Sequence, residues 1–341
     1  MAETATLLVN AADRIYRHLR IAHGWSPTRS RTELLRCSRA SVDYAGIVSA
    51  FQTIDELESA LRAVDYLPDR GLATALFLAL ALEKPLLLEG EAGVGKTEAA
   101  KSLATAMGAR LIRLQCYEGL DVAHAVYEWN YPRQLLHIRA AQEGTVSEDE
   151  LFGPAYLIRR PLLEAIDSEE PVVLLIDEID RADEEFEAFL LEVLSDFQIT
   201  IPELGTIRAR RRPAVILTSN RTRELHDALK RRALFHWIGH PSIEREIEIV
   251  KVRVPEAAER LAIEAAAFVR ELRGLDLAKP PGVAETIDWT MALNALGRQE
   301  IDAEVVQQTL GSILKYREDI EAVRDETLAG LVEKARAAVP R

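Results

Sequence analysis

Residues 85–97 constrain the fold of this chain more than any other part of the sequence. An apolar run, Leu86 to Leu88, passes into a segment with the pattern G-x-x-x-x-G-K-T, and helix-forming residues follow over 98–107. The order predicts a strand, a loop and a helix, which is the context in which this pattern forms a phosphate-binding loop. The predicted loop residues are Gly90, Glu91, Ala92, Gly93, Val94, Gly95, Lys96 and Thr97.

The residue types in this loop suit a nucleotide with bound Mg²⁺. Glycines allow backbone N–H groups to turn toward phosphate oxygens, and the following helix adds its positive N-terminal end. Lys96 can reach the β- and γ-phosphates, and the Thr97 hydroxyl can ligate Mg²⁺. From these residues we expect ATP and Mg²⁺ as the ligands. The alternative interpretation is an ordinary glycine-rich turn before a helix.

Two further apolar segments support that interpretation. Residues 172–178 lack polar alternation and end in Asp177 and Glu178, and residues 214–220 end in Asn220. Such runs predict strands buried on both faces, and ligands bind at the carboxyl edge of parallel sheets. Asp177 would hold Mg²⁺ through water, Glu178 would orient the attacking water or accept its proton, and Asn220 would hold that water or touch the γ-phosphate. The alternatives are a solvated strand end with a helix cap and, for Asn220, an ordinary turn residue.

The remaining pattern predicts an α/β domain followed by an all-α domain. Thr53 and Glu56 form a predicted capping box, strands alternate with helices over residues 51–241, and a hairpin with Gly205 in its turn is predicted near 198–208. Residues 121–170 are predicted to be helical, with a break at Gly153 and Pro154. Alternation of this kind implies a parallel sheet wrapped by helices. Residues 242–341 are predicted to form a smaller helical lid domain.

The first 50 residues differ from the rest in composition. They contain seven arginines, no lysine and four acidic residues, and they lack the long apolar core of a secretory signal. We interpret residues 1–50 as a loosely ordered Arg-rich extension without an assigned function.

Composition narrows the functional class. Of 341 residues, 48% are hydrophobic and 28% charged, and no apolar run approaches the roughly 20 residues of a membrane span. The net charge of −13 argues weakly against broad nucleic-acid binding. Cys37 and Cys116 have no metal-binding spacing, which favours reduced, structural cysteines and a cytoplasmic location.

These motifs together resemble the AAA+ ATPases and, within them, the MoxR group. Residues 90–97 are similar to the Walker A motif, residues 172–178 to Walker B, and Asn220 to sensor 1. Other stretches resemble the branch that includes the ATPase assisting maturation of aerobic carbon monoxide dehydrogenase, a molybdenum hydroxylase. They are LQCYEGLD (114–121), YEWNY (127–131), ALKRR with HWI (228–232, 236–238) and KPPGVAETIDW (279–289).

The resemblance implies a homo-oligomeric ring, usually a hexamer, with ATP at the subunit interfaces. It implies an arginine finger, for which Arg231 and Arg232 are the candidates, and a von Willebrand A-domain partner. The expected function is an ATP-hydrolysing chaperone that remodels a client, plausibly a molybdenum-containing metalloenzyme. One departure is that the stretch expected to carry a sensor 2 arginine has none, so sensor 2 stays unassigned.

Two other functions are compatible with the motifs. One is an AAA+ nucleic-acid motor or loader, against which the acidic net charge counts. The other is a nucleotide-dependent binding switch with little hydrolysis, against which the set Asp177, Glu178 and Asn220 counts.

Overall fold

The computed structural model describes residues 50–141, 147–324 and 327–339. The predicted extension over residues 1–50 therefore lies outside the described residues except for Ala50, as does Cys37. No helix within the described ranges is both long and apolar enough to cross a bilayer.

The first elements lead into the glycine-rich loop. Helix α1 (Ile54–Arg62) is capped by Thr53, whose hydroxyl accepts a hydrogen bond from the Glu56 N–H at 3.1 Å, so the predicted N-cap is confirmed. The reciprocal bond of the predicted capping box is not formed, because the Glu56 carboxylate accepts from the N–H of Gln52 instead of that of Thr53. The elements that follow are α2 (Arg70–Leu82), β1 (Leu86–Glu89), α3 (Lys96–Ala106) and β2 (Arg110–Gln115).

The middle of the chain contains short elements before the central strands return. They are α4 (Val122–Ala125), β3 (Tyr127–Trp129), α5 (Tyr131–Ala140), α6 (Glu148–Leu151), β4 (Leu157–Arg159), α7 (Pro161–Ile166), β5 (Val172–Asp177), α8 (Glu184–Asp196), β6 (Gln198–Ile201), β7 (Gly205–Arg208), β8 (Ala214–Ser219), α9 (Asp227–Arg232) and β9 (Leu234–Trp237).

The prediction that residues 121–170 are helical apart from a break at Gly153 and Pro154 is wrong. Strands β3 and β4 pair antiparallel within this segment, with Trp129 opposite Leu157. Trp129 is buried and its ring lies edge-on to Phe152 at 5.2 Å, so an aromatic contact holds this small sheet on the core.

A five-stranded parallel sheet in the order β2-β5-β8-β1-β9 forms the centre of the fold. Alternate residues of its strands pack into two apolar cores: Leu174 and Leu217 face one core, and Leu88 and Leu175 face the other. Strand β9 adds an edge that the sequence did not predict. Because all strands run parallel, their carboxyl ends meet at one edge, where Gln115 pairs with Asp177 and Glu89 with Ser219.

The last part of the described chain is helical. Its helices are α10 (Ile243–Arg253), α11 (Glu259–Arg273), α12 (Val283–Ala295), α13 (Ala303–Ile313), α14 (Arg317–Arg324) and α15 (Thr327–Ala337). Their apolar core surrounds Phe268 and Trp289, whose rings lie 5.3 Å apart, and Trp289 also donates a hydrogen bond to Thr309 at 2.8 Å.

Candidate nucleotide site

The glycine-rich loop joins β1 to α3 with a backbone that side chains would disturb. Gly93 and Gly95 have φ values of 77° and 96°, a region that L-residues rarely adopt. A Cβ at Gly90 would lie 2.2 Å from the carbonyl oxygen of Ile238. The three glycines therefore permit a tight loop at the N-terminus of α3, where backbone N–H groups and the helix dipole favour an anion.

Lys96 is folded into this loop. The residue is 7% exposed, and its ammonium donates hydrogen bonds to the carbonyl oxygens of Gly90 at 2.8 Å and Glu91 at 2.6 Å. Burial lowers the pKa of the Lys96 ammonium, whereas the carboxylates of Asp180, Asp177 and Glu178 oppose that shift. A bound phosphate would replace neutral carbonyl partners with an anionic one.

Asp177 and Thr97 meet at the carboxyl edge of the sheet. The Thr97 hydroxyl lies 3.0 Å from Oδ1 of Asp177, and the Thr218 hydroxyl donates to the same carboxylate. Asp177 is buried. A carboxylate next to a hydroxyl is a hard oxygen donor set of the kind that binds Mg²⁺ together with phosphate oxygens, so these residues fit the expected ion.

A cation from the neighbouring strand also contacts Asp177. Arg113 of β2 donates to Oδ2 of Asp177 from Nη2 at 2.6 Å and from Nε at 3.0 Å. The role of Arg113 was not predicted from the sequence. A signal was present, since Arg113 and Gln115 are alternate polar residues of β2 and therefore share a face.

Glu178 follows Asp177 with a left-handed backbone conformation, φ 55° and ψ 51°. Such a conformation is uncommon for a non-glycine residue. The carboxylate accepts hydrogen bonds from Gln115 at 3.0 Å, Arg181 at 3.1 Å and Asn220 at 3.3 Å. The structure thus brings Glu178 and Asn220 into direct contact, across a separation of 42 residues in sequence.

Asp180 fixes the turn that carries Asn220. This carboxylate is 2% exposed and accepts the backbone N–H groups of Asn220 at 3.2 Å and Thr222 at 2.8 Å, as well as the Thr222 hydroxyl. The role of Asp180 was not predictable from the sequence because it depends on a turn about 40 residues away.

Arg231 and Arg232 lie apart from these contacts, in the last turn of α9. Both are exposed, and within the described ranges neither forms a hydrogen bond or an ion pair. The structure therefore does not bring either arginine to the carboxylates of its own chain.

The helical region contacts the loop through backbone atoms. The Ala284 N–H, in the first turn of α12, donates to the Gly93 carbonyl at 3.1 Å, and a Cβ at Gly282 would lie 2.8 Å from Gly93 Cα. Arg273 does not reach the loop: it forms an ion pair with buried Glu246 at 2.6 Å and donates to the Pro281 carbonyl. Arg273 thus fixes the segment that precedes α12.

The central part of the chain is similar to known proteins. Residues 85–233 match the family model described as AAA domain, dynein-related subfamily. A protein of Fuscovulum blasticum named ClpA homolog protein is 30% identical over 179 residues, which are 50% of this chain and 20% of that protein. The match thus spans about a fifth of that relative's length.

Solved structures of RuvB from Thermotoga maritima are also similar. A point mutant is 18% identical with a TM-score of 0.43 and covers 76% of this chain and 70% of that chain. The structure described as the RuvB Holliday junction branch migration motor is 17% identical with a TM-score of 0.41, covering 74% and 68%.

Proposed function

The chain contains an AAA+ ATPase domain over residues 85–233, and from this premise we propose that it hydrolyses ATP to remodel a client protein. The observation that carries the hydrolysis is the grouping at one sheet edge of Thr97 against Asp177 and of Glu178 against Asn220. A switch that only binds nucleotide has no need for the second pair.

Each residue of the site has a separate role in the proposed hydrolysis. The loop N–H groups and Lys96 bind the phosphates, while Thr97 and Asp177 hold Mg²⁺, which offsets the charge on the phosphate oxygens. Water attacks the γ-phosphorus and the bond to the bridging β-phosphate oxygen breaks, giving ADP and phosphate. Glu178 takes up or guides the proton of that water, and Asn220 keeps the Glu178 carboxylate in place.

The finer assignment rests on the resemblance to MoxR-type ATPases. It makes the chain a cytoplasmic chaperone acting with a von Willebrand A-domain protein on a metalloenzyme client, plausibly a molybdenum hydroxylase. The domain bounds 51–241 and 242–341 belong to the same proposal. Arg231 and Arg232 have exposed side chains without a partner in the described chain. This supports a ring in which each pair would reach the nucleotide site of a neighbouring subunit.

The experiment that tests this proposal measures ATP turnover and nucleotide affinity together. The full chain should release phosphate from ATP, and added DNA should leave the rate unchanged. Lys96→Ala should abolish detectable nucleotide binding in a fluorescence titration, because the buried ammonium next to the loop is lost. Lys101→Ala, an exposed position on the same helix, is the control.

Three outcomes would contradict it. Unchanged affinity in Lys96→Ala would refute the loop assignment. Stimulation by DNA would favour a nucleic-acid motor, and tight binding without turnover, with client and partner supplied, would favour a switch.

The finger is tested by mixing two inactive proteins. Arg231→Ala with Arg232→Ala should keep ATP affinity and lose turnover by roughly 10³–10⁵-fold, as fingers supplied by a neighbour do. Mixing it with Glu178→Gln subunits should restore part of the activity, since some interfaces then combine an intact finger with an intact Glu178. A co-assembled mixture that stays inactive at every ratio would refute the assignment.

A further inference from the structure

The carboxylate expected to hold Mg²⁺ already has a cationic partner. Two nitrogens of Arg113 contact one oxygen, Oδ2 of Asp177, at 2.6 and 3.0 Å. The Asp177 side chain is 3% exposed, whereas the Arg113 side chain is 48% exposed. The buried charge is therefore compensated by a side chain whose other side reaches solvent.

A guanidinium and Mg²⁺ compete for such a carboxylate. Two cations next to the same oxygen repel each other strongly where solvent screening is weak. An Mg²⁺ ion held through water would also need the Asp177 oxygens as acceptors for its bound water, and Arg113 already occupies Oδ2. The Lys96 ammonium is engaged with loop carbonyls, so Arg113 is the side chain that forms the ion pair with Asp177 in the described chain.

The surroundings give Arg113 a place to move. It lies on β2, an edge strand of the sheet, opposite Leu175 of β5. Its guanidinium also donates to Oε1 of Gln115, whose Nε2 donates in turn to Glu178. Arg113 can therefore release Asp177 without leaving a buried cation behind.

We propose that Arg113 is a positioning residue that neutralises Asp177 in the nucleotide-free chain and is exchanged for Mg²⁺ when nucleotide binds. This inference rests on the proposed function, because it concerns the metal of the same site. The exchange makes occupation of the site by the metal weaker than the oxygen ligands alone would allow. Removing Arg113 should therefore shift Mg²⁺ binding to lower concentrations.

The test follows Mg²⁺ binding without hydrolysis. A fluorescent ADP analogue at fixed concentration is titrated with Mg²⁺ on the full chain, and the Mg²⁺ midpoint is compared between wild type, Arg113→Gln and Arg113→Lys. Loss of one partly exposed ion pair should lower the midpoint roughly two- to fivefold in Arg113→Gln. The Mg²⁺ midpoint of Arg113→Lys should lie between those of wild type and Arg113→Gln, because lysine keeps the charge but loses the two-nitrogen contact.

Two controls separate competition from a general effect of charge. Arg110→Gln, on the same strand but paired with Glu164, should keep the wild-type midpoint. In EDTA, Arg113→Gln should bind the ADP analogue no more tightly than wild type, because the substitution is expected to strengthen only the Mg²⁺-dependent part of the affinity.

The outcomes are distinct from those of the proposed function. A midpoint that is unchanged or raised in Arg113→Gln overturns the exchange while Lys96-dependent nucleotide binding persists. If wild type binds no nucleotide at any Mg²⁺ concentration, the proposed function itself fails. If Arg113→Gln does not fold, Arg113→Lys carries the same test, and a midpoint equal to wild type then refutes the proposal.

Discussion

The phosphate loop and the carboxylate cluster lie at the same sheet edge but obtain their geometry in different ways. The loop is local: its glycines, Lys96 and Thr97 come from eight consecutive residues. The carboxylate cluster is assembled from three strands, with Arg113 and Gln115 on β2, Asp177 on β5 and Thr218 on β8. A single motif thus fixes the first, whereas the second depends on the fold being complete.

This difference predicts different consequences of substitution. A change in the loop should act on nucleotide binding with little effect elsewhere. A change in the cluster should alter either the chemistry, where it touches the reacting water, or the stability, where it joins two strands.

Glu178→Gln should have the largest effect of the three substitutions considered. The amide cannot accept the proton of water, so turnover should fall roughly 10²–10⁴-fold while ATP affinity stays near wild type. Phosphate release and a nucleotide titration measure the two quantities, with exposed Glu185→Gln as the control. Wild-type turnover would mean that another group of the cluster handles the water.

Asp180→Ala should affect stability rather than a single chemical step. It leaves the N–H groups of Asn220 and Thr222 without their buried acceptor, which costs about 1–3 kcal/mol. Chemical denaturation should show this loss, and Asp180→Asn should lose less because it keeps one acceptor oxygen. Exposed Asp196→Asn is the control, and equal stability of all three variants would show that Asp180 does not join the two strand ends.

The same division explains what the sequence could predict. Strands β1, β5 and β8 are uninterrupted apolar runs, so their presence and their polar ends were predictable. Strands β3 and β4 have three residues each and include Glu128 and Arg159, which is too short and too polar for periodicity to identify. Asp180 has no local sequence signal, and the alternate polar positions Arg113 and Gln115 do not reveal which strand lies beside them; only the strand order places Arg113 next to Asp177.

The contact between α12 and the loop was unpredictable for another reason. It uses backbone atoms, the Ala284 N–H and the Gly93 carbonyl, and side-chain motifs carry no information on such a bond. The sequence showed only that an expected arginine is missing from this stretch. Gly282, which precedes this stretch, lets the two backbones approach each other.

Gly95→Ala should have the smallest effect on stability and sharpens the comparison most directly. Gly95 has φ 96° and Gly108 has φ 59°, and a Cβ at either position would meet nothing closer than 3.9 Å. Alanine should therefore cost about 1 kcal/mol at both sites, through backbone strain and not through a clash. Only Gly95 lies in the loop, so only Gly95→Ala should weaken nucleotide binding, whereas Gly108→Ala should bind like wild type. Denaturation and nucleotide titration of both variants measure this, and parallel losses of affinity would show that the loop geometry depends on the whole fold as the carboxylate cluster does.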